Sequence, residues 1–245
     1  MKRIITMVIV VLLAIQSVCV AEQGEIKFRN LEWGCSVKEA KNILKKQGGK
    51  DLYTYDNWAI PNISDIYDVY YFDSVQDGGC LMMLSIDKVA GYKTGILGTR
   101  LYFSYGVGDD FSVDRDETSL YLAEYEFDIA DCKSAYKDLK DKLSSQYGDG
   151  KYSKDVDEVW STAVGHYTKT NNYILWDGAN NTSVLLVYVD VDDKHEDGEF
   201  AKDYIQIKYF KSDSAAQIER LKKAIINEKF LLEESNRDAS DTDGL

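Results

Sequence analysis

An internal repeat is the feature that most constrains the fold of this chain. When the sequence is shifted by 82 residues, residues 101–143 align with residues 183–225 without a gap. Apolar positions coincide in two strand-like segments, the helix cap Asp131 falls on Asp213, and the helix positions that follow share one phase. Each copy consists of a strand, a long acidic loop, a strand, a cap and a helix. The shared loop length and caps favour two related units over a chance match of alternating patterns.

Three segments have the apolar spacing of amphipathic helices. Ser36 and Glu39 form a capping box before the first, because each side chain can accept the free backbone N–H of the other. Asp131 precedes the second, and Gly148 follows it as a stop. The predicted helices cover residues 37–47, residues 132–147, and residues 215–227 or beyond.

Seven segments rich in Tyr, Val, Ile and Phe are bounded by turn residues and are predicted to be strands. Several alternate cleanly between apolar and polar side chains, which predicts an antiparallel sheet with one wet face. A weaker strand candidate covers residues 156–167. The seven segments are residues 66–72, 81–86, 101–105, 121–127, 173–176, 184–189 and 204–210.

The order of these segments predicts an α+β fold. We expect an antiparallel sheet, or sheets, with helices packed on one face, built from two related helix-plus-strands modules. The polar, acidic C-terminal segment is expected to be disordered. The predicted division is a signal peptide at 1–21, a first module at 22–128, a second module at 129–232 and a disordered acidic tail at 233–245.

The first 21 residues are typical of a secretory signal peptide. Lys2 and Arg3 precede an apolar stretch at residues 4–18, and Cys19 and Ala21 provide small residues for a cleavage site. The apolar stretch is shorter than the ~20 residues that span a bilayer. We therefore expect export to the periplasm or beyond, without membrane insertion after the signal is removed. Lipidation of Cys19 is the alternative, although the residues before it fit that motif poorly.

The charge of the chain limits its partners. The formal net charge is −13, and it becomes −15 when Lys2 and Arg3 leave with the signal. Such a surface repels phosphate backbones, so nucleic acid is not an expected partner. It favours cationic partners or divalent cations, or it simply keeps an exported protein soluble.

A short motif near the N-terminus carries a resemblance. The stretch Phe28-x-x-Leu31-x-Trp33-Gly34-x-Ser36-x-x-Glu39-Ala40 resembles the opening of many uncharacterised exported bacterial proteins. More loosely, the repeat of helix and strands is similar to the tandem modules of β-lactamase-inhibitor-protein-like folds, which bind other proteins. The resemblance implies a fold rather than a reaction, and it brings no catalytic residue with it.

Two acidic loops are candidate calcium sites. The second loop places Asp190, Asp192, Asp193 and Asp197 within eight residues, and calcium takes six to eight oxygen ligands. The spacing departs from a calcium-loop motif, since His195 stands where Asp or Asn belongs. A solvated acidic hairpin loop is the alternative. No other cofactor is predicted.

Cysteine and histidine provide little support for catalysis. Cys35 and Cys132 adjoin predicted helix N-termini, which lower thiol pKa values and would favour a nucleophile. No recognisable catalytic sequence surrounds them, and His166 and His195 do not form a ligand-spaced pair. One disulfide among Cys35, Cys80 and Cys132 is compatible with export, but the spacing does not choose the pair.

Tyrosine is unusually common, with 18 residues, and several of them cluster in the first half of the chain with Trp58. Tyr and Trp are typical of binding surfaces, although Tyr is also a good strand residue. The leading functional hypothesis is a non-enzymatic binding protein for a protein, peptide or glycan, with Tyr and Trp exposed together on one sheet face. The alternatives are a hydrolase of envelope polymer with two converging carboxylates, and a structural envelope component.

Overall fold

A computed structural model describes residues 24–67, 73–161, 165–192 and 202–242 of the chain. The predicted signal peptide at 1–21 lies outside these ranges. Within them, none of the helices combines the length and the apolar character that crossing a membrane requires.

An antiparallel sheet of nine strands forms the body of the molecule. The order across the sheet is β1-β2-β4-β5-β9-β8-β7-β6, and the two-residue β3 pairs with β4 alone. The antiparallel prediction and the α+β class are confirmed. The strands are β1 (Lys50–Pro61), β2 (Ser74–Ser85), β3 (Lys88–Val89), β4 (Tyr92–Val107), β5 (Val113–Phe127), β6 (Lys151–Ser161), β7 (Gly165–Asp177), β8 (Thr182–Asp192) and β9 (Tyr204–Lys211).

Within the described ranges, three α-helices accompany the sheet: α1 (Val37–Lys46), α2 (Cys132–Tyr147) and α3 (Ser214–Thr242). The capping box at Ser36 and Glu39 is present, and the predicted bounds of α2 match the observed ones. The third helix continues through Thr242, whereas the sequence predicted a disordered tail from residue 233. No Gly or Pro interrupts the stretch up to Thr242, so the backbone hydrogen bonds of the helix can continue.

The two faces of the sheet can be followed by cross-strand pairs, since paired residues share a face. Leu101 and Phe103 of β4 mark one face, called the Leu101 face. Arg100, Tyr102 and Ser104 mark the other, called the Arg100 face. The same two faces continue across the whole sheet through its cross-strand pairs.

The helices divide between these faces. On the Leu101 face, the Tyr136 ring of α2 lies 5.2 Å from the Tyr188 ring of β8. The first backbone N–H of α1 also bonds the Thr118 side chain on this face. By contrast, Gln217 of α3 donates to the Ser104 hydroxyl at 3.3 Å on the Arg100 face. The prediction that all helices pack on one face is therefore wrong, because α1 already covers the Leu101 face of the first half.

The segment before β2 also covers the Arg100 face. A short 3-10 helix, Ile63–Asp65, leads to Ile66, whose carbonyl accepts a 3.0 Å hydrogen bond from buried Lys208 Nζ of β9. Coverage on both sides explains why β8 is buried at every position of 182–189, where a wet face was predicted. The predicted strand at 66–72 is not a strand at Ile66 and Tyr67, and its other residues lie outside the described ranges.

The N-terminal motif has a structural role. Gly34 adopts a φ of +83°, and its N–H donates to Leu120 of β5 at 2.9 Å. The Trp33 indole N–H donates to the Ile26 carbonyl at 2.8 Å. The motif thus attaches the segment before α1 to the middle of β5.

Candidate functional site

Edge strand β1 displays three large aromatic side chains on the Arg100 face. Tyr53, Tyr55 and Trp58 lie opposite Met83, Leu81 and Gly79 of β2, and all three of these β2 residues belong to that face. Their exposed fractions are 51%, 39% and 42%, and the Tyr55 and Trp58 ring centroids are 5.3 Å apart. Tyr53, Tyr55 and Trp58 are called the aromatic strip below.

A β-bulge brings Trp58 into the strip. In a regular strand, a residue three positions after Tyr55 points to the opposite face. The register of β1 against β2 shifts between Tyr55 and Trp58, and Asn57 adopts a φ of 53° there. The extra residue returns Trp58 to the face of Tyr55. Bulges commonly re-aim a side chain in this way.

The bulge is held by a buried tyrosine. The Tyr105 hydroxyl accepts the Asn57 backbone N–H at 2.9 Å and donates to the Asn57 side-chain oxygen at 3.2 Å. Burial raises the pKa of Tyr105 to about 12, so it stays a neutral donor and acceptor. The Cys80 thiol donates to Asp56 at 3.2 Å beside it. Buried side chains of the core thus hold the bulge of β1 in place.

A charged cluster lies on the same face, two strands inward. Arg100 Nη1 donates to Glu124 at 3.0 Å and to Glu126 at 2.9 Å, and the Tyr102 hydroxyl donates to Glu124 at 3.1 Å. Burial and the neighbouring Glu124 hold the pKa of Tyr102 well above its usual value. Lys208 is the cross-strand neighbour of Glu124 across the β5–β9 seam. Glu124 and Glu126 both bind the guanidinium of Arg100. This arrangement suits ion pairing that stabilises the sheet better than a catalytic pair of carboxylates, one acid and one base.

The predicted calcium ligands are only partly within the described residues. Asp190 and Asp192 lie exposed at the end of β8, opposite Thr170 and Thr168 of β7, whereas Asp193 and Asp197 lie outside. In the part of the chain that the structure describes, no group of three His, Cys, Asp or Glu side chains is arranged to hold a metal. The calcium site stays a prediction.

A carboxylate that the sequence pattern did not indicate contacts the end of β8. Asp203 accepts the Val191 backbone N–H at 2.9 Å and the Tyr188 hydroxyl at 3.0 Å. It precedes β9 directly and ties that strand to β8. Its sequence context, an isolated acid before a strand, carries no signal of this role.

The first acidic loop is organised by its own carboxylates. Asp110 accepts the Ser112 N–H and hydroxyl, and these bonds lower its pKa. Asp114 accepts the N–H groups of Asp116 and Glu117. These contacts are the turn-forming bonds expected of Asp in a solvated loop.

The cysteines are poor nucleophiles. Cys35, Cys80 and Cys132 are free, and burial raises the pKa of each thiol from 9.0 to about 11. The prediction that helix N-termini lower the pKa of Cys35 and Cys132 is wrong, since burial and nearby carboxylates outweigh the helix effect. His166 lies in β7 opposite Trp160, and His195 lies outside the described residues.

Two cavities of the described structure differ from the cleft that a hydrolase needs. One, of about 250 Å³, lies between Trp33-Gly34 and the start of α3, and its lining has Asp213 as the one carboxylate. The other, of about 390 Å³, lies at the β3–β4 hairpin and has Asp87 as the one carboxylate. Neither has the two converging carboxylates predicted for glycoside hydrolysis.

Comparison of the chain with protein-family models, with curated proteins and with solved structures finds no match.

Proposed function

We propose that this chain is an exported, non-enzymatic binding protein whose ligand docks on the aromatic strip. The observation that carries the proposal is the bulge at Asn57. It turns a third aromatic side chain, Trp58, out to the solvent side of the Arg100 face beside Tyr53 and Tyr55. A strand that used tyrosine only for its β-propensity has no need of this irregularity.

The strip suits binding for energetic reasons. Exposed Tyr and Trp offer large contact areas with few rotatable bonds, so little entropy is lost when a ligand orders them. Tyr and Trp are also enriched among the residues that contribute most to binding energy. The neighbouring Arg100 cluster adds fixed polar groups on the same face.

We also propose that the sheet contains two related helix-plus-strands modules. The first, at residues 22–128, contains α1 and β1 to β5, and the second, at residues 129–232, contains α2 and β6 to β9. The strand order supports this, because β1-β2-β4-β5 mirrors β6-β7-β8-β9 about the β5–β9 seam. The sequence repeat places β4 on β8 and β5 on β9. The aromatic strip lies on the outermost strand of the first module, whereas β6 has two aromatic residues, Tyr152 and Trp160, eight positions apart in sequence.

The test uses the purified protein against two kinds of probe, a displayed random-peptide library and insoluble polysaccharides such as peptidoglycan and chitin. We expect retention on at least one probe, and at least tenfold weaker retention for a Tyr55→Ser/Trp58→Ser double variant. Tyr152→Ser, an exposed tyrosine on the opposite edge strand, is the matched control and should bind normally.

The proposal would be contradicted if the protein bound none of the probes in a way that depends on Tyr55 and Trp58. Release of soluble sugar from a polysaccharide by the protein would favour a hydrolase instead.

A further inference from the structure

A large bulge inside β4 exposes an isoleucine. The ladder between β4 and β5 breaks off at Thr94 and resumes at Thr99. The four residues in between lie opposite the single residue Glu126 of β5. Most β-bulges set two residues against one, so this bulge is unusually long. Its second residue, Ile96, is 94% exposed and is the most exposed large apolar side chain among the described residues.

The backbone of this bulge has a specific, strained conformation. Leu97 adopts a φ of 53°, a region that bulky side chains rarely occupy. A Cβ atom on Gly98 would lie 2.7 Å from the Glu126 carbonyl oxygen and 2.9 Å from the Gly95 carbonyl oxygen, so a larger residue does not fit. Strained backbone of this kind clusters at functional sites. The bulge is therefore a feature that the sequence specifies.

A mainly apolar cavity of about 390 Å³ adjoins the bulge. Gly95 and Ile96 line it together with Ile86 and Thr94, and the last two are buried. The Thr94 hydroxyl donates to the Ile86 carbonyl, which joins β4 to the end of β2. An apolar cavity of about 150 Å³ already accepts a benzene molecule. This cavity therefore has room for an isoleucine side chain from outside.

The β3–β4 hairpin beside the cavity is anchored to α2. The Tyr92 hydroxyl donates to Asp138 at 2.8 Å, and Lys142 Nζ donates to the Ala90 carbonyl at 2.8 Å. Binding to a surface that is already ordered loses less conformational entropy than binding to a mobile loop. The hairpin is thus prepared for a contact.

The charges around the cavity differ from those of the whole chain, whose formal net charge is −13. The charged residues that line the cavity are Lys88, Lys93 and Asp87. Asp87 pairs with Lys50 at 2.9 Å, and Lys93 pairs with Asp128 at 3.6 Å. This group contains three lysines and two aspartates. Two copies of the chain can therefore meet here without the local repulsion of an acidic surface.

We propose that this surface is an interface between two copies of the chain, in which Ile96 of each copy inserts into the cavity of the other. In a two-fold symmetric dimer the same patch meets itself, so the patch must carry both a projection and a cavity. Ile96 and the adjoining cavity meet this requirement. A single exposed apolar residue is ordinary, whereas a strained bulge that displays one beside an apolar cavity is not. The inference does not depend on the proposed binding function.

The test is analytical ultracentrifugation of the purified protein over a range of concentrations. We expect a monomer–dimer equilibrium. Ile96→Asp should raise its dissociation constant at least about 100-fold, because each dimer loses two buried isoleucine side chains. Ile226→Asp, which adds the same charge at another exposed isoleucine, is the matched control and should dimerise normally. Higher salt should strengthen the dimer, since it screens repulsion between two acidic chains.

A monomer at every concentration would overturn the inference, even if Ile96→Asp weakened retention on lipid vesicles or on a peptide library. A dimer that Ile96→Asp leaves intact, or that higher salt dissociates, would overturn it as well. Equal loss of the dimer in both Asp variants would attribute the effect to added charge and reject the isoleucine contact. Thermal melts verify that each variant is folded.

The aromatic strip provides the last control. Tyr55→Ser/Trp58→Ser should leave the dimer unchanged, and Ile96→Asp should leave binding to the strip unchanged. The dimer interface and the proposed binding function can therefore fail separately. Loss of the dimer in the Tyr55→Ser/Trp58→Ser variant would assign the interface to the strip and overturn this inference.

Discussion

The two outer hairpins of the sheet differ in regularity. In the first half, the β1–β2 ladder contains three register shifts, and Asp51 and Asn57 adopt positive φ values. In the second half, β6 and β7 pair over 11 consecutive residues without a shift. Both hairpins end the same sheet, so sheet formation alone does not require the irregularity.

The difference indicates different roles for the two edges: β1 exposes a group of aromatic side chains, whereas β6 pairs regularly with its neighbour. The irregular edge shows Tyr53, Tyr55 and Trp58 together on the Arg100 face. On the regular edge, the exposed apolar side chains among those described are Tyr152 and Val156, four residues apart. Single exposed apolar residues are ordinary, whereas a contiguous group on one face marks an interaction site. Bulges also protect an open edge against pairing with other chains.

Removing the buried carboxylate of β5, next to the seam between the halves, should have the largest effect. Glu124→Leu removes the carboxylate that Arg100 and Tyr102 contact and should lower the free energy of unfolding by about 3–5 kcal/mol, because buried charges lose their partner. Urea unfolding, monitored by circular dichroism, measures this loss of unfolding free energy. Glu126→Gln, which is partly exposed, is the control and should cost less than about 1 kcal/mol. Unfolding of Glu124→Leu in two separate steps would contradict a cooperative seam.

Thiol labelling compares one buried cysteine in each half. With pKa values of about 11 rather than 9.0, Cys80 and Cys132 should carry about 100-fold less thiolate near neutral pH. Labelling with a thiolate-specific reagent should be at least that much slower in the native protein than in urea. Cys80→Ser and Cys132→Ser assign the signal. Fast native labelling of one of them would show that its half opens more readily.

Stability measurements on β1 and β6 variants test whether the exposed aromatic side chains stabilise the fold. Tyr55→Ser, Trp58→Ser and Tyr152→Ser should each change the free energy of unfolding by less than about 1 kcal/mol, since these residues are 39%, 42% and 60% exposed and lie outside the core. Denaturant midpoints measure the change. A loss of about 3 kcal/mol or more for Trp58→Ser would mean that the strip supports the first half instead of serving a ligand.

A smaller effect is expected from acid. Hydrogen bonds from Lys222 lower the pKa of Asp73, and those from Arg115 lower the pKa of Glu228. Because both folded pKa values are depressed, this stabilisation is present above the unfolded values near pH 4 and is lost as pH falls through the folded values. The melting temperature should therefore decline below about pH 4. Lys222→Met should show a shallower decline, and an unchanged slope would contradict the role of this pair.

The helices and inner strands could be read from the sequence, and the edges could not. Caps at Ser36 and Asp131 and a clear apolar period fixed α1 and α2. Strand β8 carries buried residues at eight of its eleven positions, which concentrates Val and Leu there. Strand β1 was missed and β6 was covered only from Val156, because an edge strand with wet side chains has no apolar alternation.

The candidate site was predictable in its residue types but not in its geometry. The cluster of Tyr53, Tyr55 and Trp58 was visible as a composition. Their common face depends on the bulge at Asn57 and on its contact with Tyr105, 48 residues away in sequence. A long-range hydrogen bond of this kind leaves no local pattern.

The β5–β9 ladder has a consequence for how the chain is made. Strand β5 bonds β4 on one side, and its other side waits for β9, which follows roughly 80 residues later in the chain. At synthesis rates of about 5–20 residues per second, that edge stays open for about 4–16 s. The first half is therefore synthesised with unpaired backbone groups along β5. These groups pair with β9, the last strand of the sheet to be made.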